Sequence, residues 1–315
     1  MWFRNLRIYR VIEAEDLSAE NLESRLDRYR FQPCARLATS ADGWVSPCAE
    51  LLPEQAPMLT HTVNGSIMLT LRQDSKVLPA GIIRDMVNEK VSEIRLAQQR
   101  KVNRREKNQL RDEIIQELLP RALCRTVKTH AYLVPRDGLL LVDTATPQRA
   151  EQLISRLRDS LGKLTVVPLA MKTSTATVMT EWVMKQSLPA DLAFGQDCVL
   201  QDPRQASSVV RCSKIDIGGS ELTAHLDVGR QVTRLELVWD GTLRFLLDSD
   251  MAWRRIRFED IHEDQTIDSG EDDALSRFDN DFAMMTLVFA RCLQRLLGIC
   301  GGEDHAAYPA GEKAA

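Results

Sequence analysis

Apolar and polar residues at the start of the chain predict short strands around one helix. Residues 3–12 alternate as in a strand, and a helix begins at Ser18. Residues 43–47 form a short extended segment between turns. Asn64-Gly65 is a turn dipeptide that leads into an aliphatic strand at 66–71. The expected order is therefore strand, helix, strand, strand.

A second set of elements follows a similar plan. Strands are predicted at 130–134 and 139–142, and the Asp-Gly dipeptide between them indicates a hairpin. A helix is predicted over 147–161 with Gly162 at its end, and an extended segment follows at 164–169. We therefore expect two related α+β lobes.

The last third of the chain predicts an antiparallel, β-rich domain. The pattern favours a helix at 174–184, a turn-rich loop at 185–207 and a terminal helix at 278–298 with one buried apolar face. Four strands are predicted at 208–216, 231–239, 242–247 and 253–258. Residues from Gly301 onward are small and polar, as in a frayed tail.

Between the two lobes, the pattern predicts a helical hairpin. Aliphatic residues at steps of three and four indicate a helix with one buried face over roughly 80–100. Asn103 and Glu106 resemble a capping box, which places the start of a second helix over roughly 104–119. The tip of this hairpin is expected to project from the core.

These patterns give an α+β, multilobed chain in which antiparallel sheets pack with helices. The expected parts are a first α+β lobe (1–75), a projecting helical arm (76–119), a second α+β lobe packed with the first (120–172), an antiparallel β-rich domain with a C-terminal helix (173–300) and a flexible tail (301–315).

Positive charge is concentrated in the arm. The whole chain carries −4, yet residues 90–111 carry eight basic residues against Glu93 and Glu106, a local charge of +6. The basic residues are Lys90, Arg95, Arg100, Lys101, Arg104, Arg105, Lys107 and Arg111. In the second helix, basic residues share one stripe with Ile114 and Leu118. A solvated surface helix and a nucleic-acid-binding helix explain this charge about equally well.

Composition narrows the class of protein. With 315 residues, of which 44% are hydrophobic, the chain can bury a substantial core. It lacks a run of about eighteen apolar residues, which argues against a membrane span. The charged N-terminus lacks a signal-peptide core, which indicates a cytoplasmic protein. Seven cysteines without a CxxC pair argue against a disulfide framework or a four-ligand zinc site. Aromatic residues, at 5%, are too sparse for binding single strands by base stacking.

Motifs for catalysis are mostly missing. No GxGxxG, GxxxxGK[ST] or GxSxG occurs, so no nucleotide cofactor or serine nucleophile is expected. No cysteine lies beside an evident base in the sequence. His61 and His130 are interpreted as polar residues of strands or loops rather than as metal ligands.

An acidic segment, residues 259–281, contains ten Asp or Glu residues and His262. We interpret it as a solvated acidic segment rather than a divalent-cation site, because a metal site needs fixed and convergent ligands. Repulsion from DNA, pairing with a second subunit and plain solubility all remain open as its role.

Eight short stretches, in order along the chain, carry a resemblance to a known family. They are Trp2–Leu6, Gly43–Pro47, Leu78-Pro79, Leu118–Ala122, Gly138–Asp143, Val166–Leu169, Thr180–Val183 and Arg277–Phe282. Over residues 2 to about 300, the chain resembles the RdgC family of recombination-associated proteins. None of these stretches is a catalytic motif.

The resemblance implies a non-enzymatic, DNA-binding protein of the bacterial nucleoid that needs no cofactor. Members of the family form a ring-shaped homodimer whose basic hole can surround double-stranded DNA with little sequence preference. They restrain the RecA recombinase by limiting its access to DNA. Single-stranded DNA would bind more weakly, and direct contact with RecA is not visible in the sequence.

The resemblance also suggests site residues. The eight basic residues of the arm, together with Arg121 and Lys214, would bind DNA, and Leu118, Leu119 and Leu123 would contact the second subunit. Leu123 stands where the family can place an aromatic gate residue, so we expect a gate that opens more readily. Lys214 falls in a stretch that matches a basic strand of the family, although the neighbouring Ile215 is apolar.

Two other classes of function stay open from the sequence. One is a metal-dependent enzyme that uses the acidic segment around His262. The other is an interaction scaffold whose basic arm binds an acidic protein partner.

Overall fold

The structure is a computed structural model, and it describes residues 2–51, 58–217, 219–259 and 271–309. The chain divides into two compact units. The larger unit contains Met1–Arg28, Ser46–Thr70 and Thr129–Ala315, and the smaller unit contains Tyr29–Val45 and Leu71–Lys128. The five-part division expected from the sequence stays a prediction.

The described residues form twelve strands and seven α-helices, which confirms the α+β class with antiparallel sheets. The strands are β1 (Arg7–Ala14), β2 (Ser40–Val45), β3 (Thr60–Val63), β4 (Ser66–Lys76), β5 (Cys124–Val134), β6 (Leu139–Val142), β7 (Leu164–Pro168), β8 (Leu192–Asp202), β9 (Gln205–Cys212), β10 (Gln231–Trp239), β11 (Leu243–Asp248) and β12 (Trp253–Phe258). The helices are α1 (Ala19–Asp27), α2 (Ala80–Gln98), α3 (Arg104–Leu118), α4 (Pro147–Leu161), α5 (Thr175–Lys185), α6 (Ser220–Asp227) and α7 (Glu271–Ile299).

Turn and cap residues position the first elements of the larger unit. The Ser18 hydroxyl accepts the Asn21 N–H and begins α1, as predicted. Asn64 and Gly65 join β3 to β4 with φ of 50° and 77°. Positive φ at both central residues is what a two-residue hairpin needs to match the twist of its strands. The predicted hairpin is confirmed.

Three antiparallel strands in the larger unit lie in the order β6, β1 and β7. Tyr9 at the centre of β1 lies opposite Leu140 of β6 and Pro168 of β7. The predicted helix over 147–161 is α4, and its turn into β7 passes through Gly162 at a φ of 84°. A residue with a side chain would be strained at that angle.

A five-stranded sheet in the larger unit runs in the order β12, β11, β10, β8 and β9. The predicted loop at 185–207 is wrong, because β8 lies between β10 and β9 and pairs with both. Gly195 and several polar residues interrupt the alternating apolar pattern of this strand, so the sequence did not predict it. The side chain of Glu236 on β10 fills the space beside Gly195, and its carboxylate accepts the Gln196 N–H at 2.6 Å.

The core of the larger unit is aromatic where the sheet meets α7. Trp253 stacks on Phe245 with ring centroids 4.6 Å apart, and Phe289 of α7 meets the Trp253 ring edge-on at 5.7 Å. The predicted buried face of the terminal helix is confirmed, since its five apolar residues, Phe282, Met285, Phe289, Leu293 and Leu296, are all buried. The helix begins at Glu271, earlier than predicted.

Residues Ala274–Ile299 of α7 are long and apolar enough to cross a membrane, by length and composition alone. The sequence had suggested that no such segment exists. One side of this helix belongs to the core of the larger unit, as in the core helix of a globular domain. Length and composition are therefore weak grounds for a membrane span here.

Residues 301–309 are held to the larger unit, so the expected flexible tail does not begin at Gly301. Arg10 of β1 donates to Glu303 at 2.6 Å, and the Tyr308 hydroxyl donates to the same carboxylate at 2.7 Å. Burial alone would raise the pKa of Glu303, but these hydrogen bonds hold it below its usual value. Residues 310–315 lie outside the described residues.

Asp143 follows β6 and holds the N-terminal segment in place. Its Oδ1 accepts the Arg4 N–H at 3.2 Å and the Asn5 N–H at 2.9 Å. Burial raises the pKa of this carboxyl to about 6, although the two N–H groups oppose the shift. Ionised Asp143 is therefore less stable in the folded protein than in the unfolded chain.

We expect Asp143→Asn to stabilise the protein at neutral pH. Because the folded pKa is raised, the folded state binds more protons than the unfolded state between about pH 4 and 6, and stability falls as pH rises through that range. Asn keeps an acceptor oxygen and removes the charge, so the free energy of unfolding at pH 7.5 should rise by about 1–3 kcal/mol. Urea unfolding at pH 4.5 and 7.5 measures this change.

Asp143→Ala is the matched control, because it leaves the two backbone N–H groups without their acceptor. It should destabilise the protein at both pH values. If the wild type and Asp143→Asn lost the same stability between pH 4.5 and 7.5, the raised pKa of Asp143 would not be the cause of that loss.

Candidate nucleic-acid interface

The two predicted helices of the arm are α2 and α3 of the smaller unit, and they pack on each other through a small apolar core. Its fully buried members are Ile83, Val87 and Val91 of α2 and Ile114 of α3. These residues recur at helical spacing, so each helix presents one apolar stripe to the other. The remaining faces carry the polar and charged residues.

The turn between the helices has the predicted start signal. The Asn103 side chain accepts the Glu106 N–H at 2.8 Å and begins α3. Helix α2 ends at Gln98 and is followed by Gln99, which has a φ of 48°. The Glu106 carboxylate binds Arg100 across this turn at 2.5 and 2.7 Å, and this ion pair holds the pKa of Glu106 below its usual value.

Some of the predicted basic residues have an ion-pair or hydrogen-bond partner in the described part of the chain, and others do not. Arg100 is paired with Glu106, and Lys90 lies 3.7 Å from Glu117. Lys107 donates to the side-chain oxygen of Asn88 at 3.3 Å. The others are exposed and form no ion pair within the described residues: Arg95, Lys101, Arg104, Arg105, Arg111 and Arg121. Six cationic side chains therefore face solvent with neither an ion-pair partner nor a side-chain hydrogen bond among the residues that the structure describes.

The charge changes sign along α3. Its first half carries Arg104, Arg105, Lys107 and Arg111, whereas its second half carries three acidic residues, Asp112, Glu113 and Glu117. The smaller unit has sixteen Lys or Arg against nine Asp or Glu, a net charge of +7. The rest of the chain carries −11 by the same count. The excess of positive charge thus belongs to the smaller unit, and within α3 it lies in the first half.

A cleft of about 230 Å³ opens between α2 and α3. Ile83 and Val87 form an apolar part of its wall, and Arg84, Lys107 and Arg111 bring three cations to it. Arg84 lies 3.7 Å from Asp85, and both side chains are exposed. The cleft combines an apolar floor with a positive rim.

Polar contacts fix the base of the hairpin. The Lys76 amine donates to the carbonyl oxygens of Ala35, Arg36 and Leu119 at 3.1, 2.6 and 2.9 Å. Buried Asp74 accepts two hydrogen bonds from Arg72 at 2.9 Å, and these keep its pKa below the usual value. Lys76 and Arg72 therefore serve the fold of this unit.

The three leucines predicted to contact a second subunit have different environments. Leu119 lies in a 3-10 turn, Leu119–Arg121, and is buried within its own unit. Leu118 is half-buried against the core of the hairpin. Leu123 is 81% exposed. Of the three, Leu123 offers the most apolar surface to a partner.

Lys214 lies in the larger unit, and the strand predicted around it is shorter than expected. Strand β9 ends at Cys212, and Lys214 follows in a turn with a φ of 56°. Its N–H donates to Asp197 at 3.3 Å, while its side chain is exposed. The Asp197 carboxylate also accepts from Ser213, and this contact is the main reason why the pKa of Asp197 is lowered.

The structure bears differently on the acidic segment, on possible metal sites and on His130. His262, Glu263 and most of the acidic segment lie outside the described residues. Within the described residues, no group of three or more His, Cys, Asp or Glu side chains could hold a metal ion. His130 lies in β5 and contacts the Thr70 hydroxyl at 2.9 Å, which confirms its interpretation as a polar strand residue.

No cysteine lies beside an evident base in the sequence, but the fold brings one cysteine into contact with a histidine. Cys48 lies 3.6 Å from Nδ1 of His61, whose Nε2 contacts Asp279 at 2.7 Å. These three residues are far apart in the sequence, and no motif spacing connects them. Only the fold brings them together.

Comparison with known proteins identifies the family. The family model described as "Putative exonuclease, RdgC" matches residues 1–303. A protein of Pseudomonas fluorescens (strain Pf0-1) named recombination-associated protein RdgC is 40% identical over 96% of this chain and 98% of its own length. Proteins of the same name from Pseudomonas aeruginosa (strain PAO1) and Psychromonas ingrahamii are 39% and 35% identical over 96% of this chain, covering 98% and 99% of their own lengths.

The matches extend across both units and include the smaller, basic unit with its two helices. On this coverage and identity, the chain belongs to the RdgC family of recombination-associated proteins.

Proposed function

We propose that this protein is a non-enzymatic, double-stranded DNA-binding protein of the bacterial nucleoid that acts as a ring-shaped homodimer. It limits RecA-mediated recombination by occupying DNA that the recombinase would otherwise use. The observation that carries the proposal is the set of six exposed cations on and beside the α2–α3 hairpin that form no ion pair with any described residue. The family membership supports a role in recombination.

The chemistry of these cations suits phosphate rather than bases. Arg104, Lys107 and Arg111 follow one stripe of α3, which extends about 10 Å at the usual helical rise. A stripe of that length spans only a few phosphates of a duplex. Arginine and lysine that neutralise phosphates release counterions, so binding is strong at low salt and nearly independent of sequence.

The rest of the chain is acidic, which favours binding of a polyanion at the smaller unit over binding elsewhere on the protein. A net charge of −11 outside the smaller unit repels a polyanion, whereas +7 within it attracts one. DNA is therefore steered to the α2–α3 hairpin. Sparse aromatic residues provide few platforms for unpaired bases, so double-stranded DNA is the preferred ligand.

Closure of the ring would use the exposed leucine of the smaller unit. Leu123 is too exposed to contribute to the core of its own unit, and the cleft between α2 and α3 has an apolar floor. In the proposed dimer, the partner subunit's Leu123 contacts this floor. A leucine buries less area than an aromatic residue, so this gate releases DNA more readily.

Competition for DNA explains the proposed restraint of RecA without a dedicated protein contact. A ring that must open or slide to an end leaves DNA slowly, so it blocks filament growth for longer than its equilibrium affinity alone would indicate. The family description contains the word exonuclease, and a nuclease test therefore accompanies the binding tests.

The first expected result is a steep salt dependence of duplex binding that depends on α3. Each phosphate contact contributes about −0.9 to the slope of log K against log salt, so Arg104→Ala/Lys107→Ala/Arg111→Ala should make the slope shallower by roughly 2 to 3. The affinity for the duplex at about 0.1 M salt should fall tenfold or more. Fluorescence anisotropy of a labelled duplex of random sequence measures both.

The matched control is Arg136→Ala/Arg149→Ala/Lys172→Ala, which removes the same charge from exposed positions of the larger unit. In this control, the slope of log K against log salt should differ from that of the wild type by no more than about 0.9, the contribution of one phosphate contact. Equal effects of the two triple variants would mean that net charge, and not the hairpin, governs binding. No binding by the wild type at low salt would favour an acidic protein partner.

The second expected result concerns subunit association. Leu123→Phe should tighten the dimer, because a phenyl ring buries more apolar area, and Leu123→Asp should weaken it by tenfold or more in dissociation constant. Sedimentation equilibrium measures these constants. Leu96→Asp is the control, since Leu96 is 83% exposed on α2 and is not assigned to the interface. An unchanged dimer in Leu123→Phe would count against the proposed gate.

The third expected result is that the duplex survives intact. A DNA labelled at either end, incubated with the protein and Mg²⁺ or Mn²⁺, should keep its length on a denaturing gel. Metal-dependent shortening that follows the protein through purification would replace the non-enzymatic proposal with a nuclease.

A further inference from the structure

A thiol, an imidazole and a carboxylate form a continuous chain of contacts in the larger unit. Cys48 Sγ lies 3.6 Å from His61 Nδ1, and His61 Nε2 lies 2.7 Å from Asp279 Oδ1. Cys48 follows β2, His61 lies in β3, and Asp279 lies in α7. This arrangement is separate from the basic hairpin, and it has no part in the proposed binding of DNA.

The hydrogen bonds define what each group can do. The Asp279 carboxylate accepts a hydrogen bond from Nε2–H, which leaves Nδ1 of His61 as the acceptor for the Cys48 thiol. His61 is then oriented as a base toward sulfur, and Asp279 stabilises the imidazolium that forms when His61 takes the proton. The two ring nitrogens point in opposite directions, so thiol and carboxylate cannot bind one metal ion together with this ring.

Neighbouring groups hold the imidazole and the thiol in this geometry. Phe278 packs edge-on against the His61 ring with centroids 5.1 Å apart, and Phe282 lies 6.4 Å away. The Ser46 hydroxyl accepts the Cys48 N–H at 3.2 Å and fixes the backbone beside the thiol. The Asp279 side chain is 45% exposed, whereas the His61 side chain is 19% exposed, so the carboxylate contacts water while the ring beside it is mostly buried.

Burial of Cys48 sets the size of its reaction partner. The residue is 4% exposed, which leaves no room for a bulky acyl or peptide group at sulfur. Burial, with the Asp279 charge, raises the pKa of Cys48 to about 11, so the resting group is a thiol. Reaction therefore requires a small neutral reagent and a base that removes the proton at the moment of attack.

We propose that Cys48 is a peroxide-reactive thiol, with His61 as its base and Asp279 as a positioning residue. The sulfur attacks one oxygen of hydrogen peroxide and breaks the O–O bond. His61 takes the thiol proton and delivers it to the departing hydroxide. The products are a Cys48 sulfenic acid and water, so sulfur is oxidised and peroxide is reduced.

A second buried cysteine, Cys292, serves as a control for the effect of burial on the reactivity of a thiol. Cys292 of α7 is fully buried, and burial raises its pKa. Within the described residues, no imidazole contacts Cys292. Cys198 is also fully buried, but it lies opposite Cys212 across β8 and β9 and could form a disulfide with it, so it is less suitable. Burial without a base should leave a thiol unreactive, whereas burial beside His61 should not.

The test treats the folded, full-length protein with hydrogen peroxide for a set time and stops the reaction with catalase. Dimedone, which traps sulfenic acids, is then added together with denaturant so that it reaches buried positions, and peptide mass spectrometry measures the adducts. Cys48 should be labelled at least tenfold faster than Cys292. Cys48→Ser should remove that label. Asp279→Asn, which changes a half-exposed side chain, should slow Cys48 labelling by tenfold or more and leave Cys292 unchanged.

His61→Gln removes the base itself and should reduce labelling of Cys48 at least as much. Near-ultraviolet circular dichroism verifies that each variant keeps its packed core. If Cys48 in the wild type reacts no faster than Cys292, the proposal is wrong. If Asp279→Asn reacts as the wild type does while His61→Gln does not, the role given to Asp279 is overturned.

Discussion

The apolar contact between α2 and α3 determines where this protein displays its positive charge. Four aliphatic side chains, Ile83, Val87, Val91 and Ile114, are the buried members of that contact. Each contributes about 1.5–3 kcal/mol when it leaves water, and this must outweigh repulsion among the cations that the same two helices carry. Because the apolar stripes occupy the inner faces, the arginines and lysines are left on the outer ones.

Repulsion at the tip is only partly relieved within the protein. Glu106 and Glu117 neutralise Arg100 and Lys90, but Arg104, Arg105 and Arg111 form no ion pair in the part of the chain that the structure describes. An anion that binds the folded hairpin better than the unfolded one must stabilise it by mass action. The proposed binding of DNA would therefore stabilise the hairpin, whose base already has the contacts of Lys76 and Asp74.

The sequence predicted the elements whose patterns are local. The two helices of the arm, the Asn103 cap and the Asn64-Gly65 hairpin follow from spacing and turn chemistry within a few residues. The strand β8 was missed because its strand character depends on neighbours: Gly195 makes room for Glu236, and the paired strands supply the hydrogen bonds. The attachment of Glu303 was missed for a similar reason, since its partner Arg10 is at the other end of the chain.

Burial and proton transfer act together at Cys48 in a way that sequence spacing could not reveal. A reactive cysteine is often identified by a low pKa, yet burial gives Cys48 a raised one. A raised pKa suppresses the thiolate at rest, and burial excludes large reagents. His61 and half-exposed Asp279 restore reactivity only for a molecule small enough to reach the sulfur. Selectivity at such a site comes from access and an adjacent base, because the thiol at rest is not ionised.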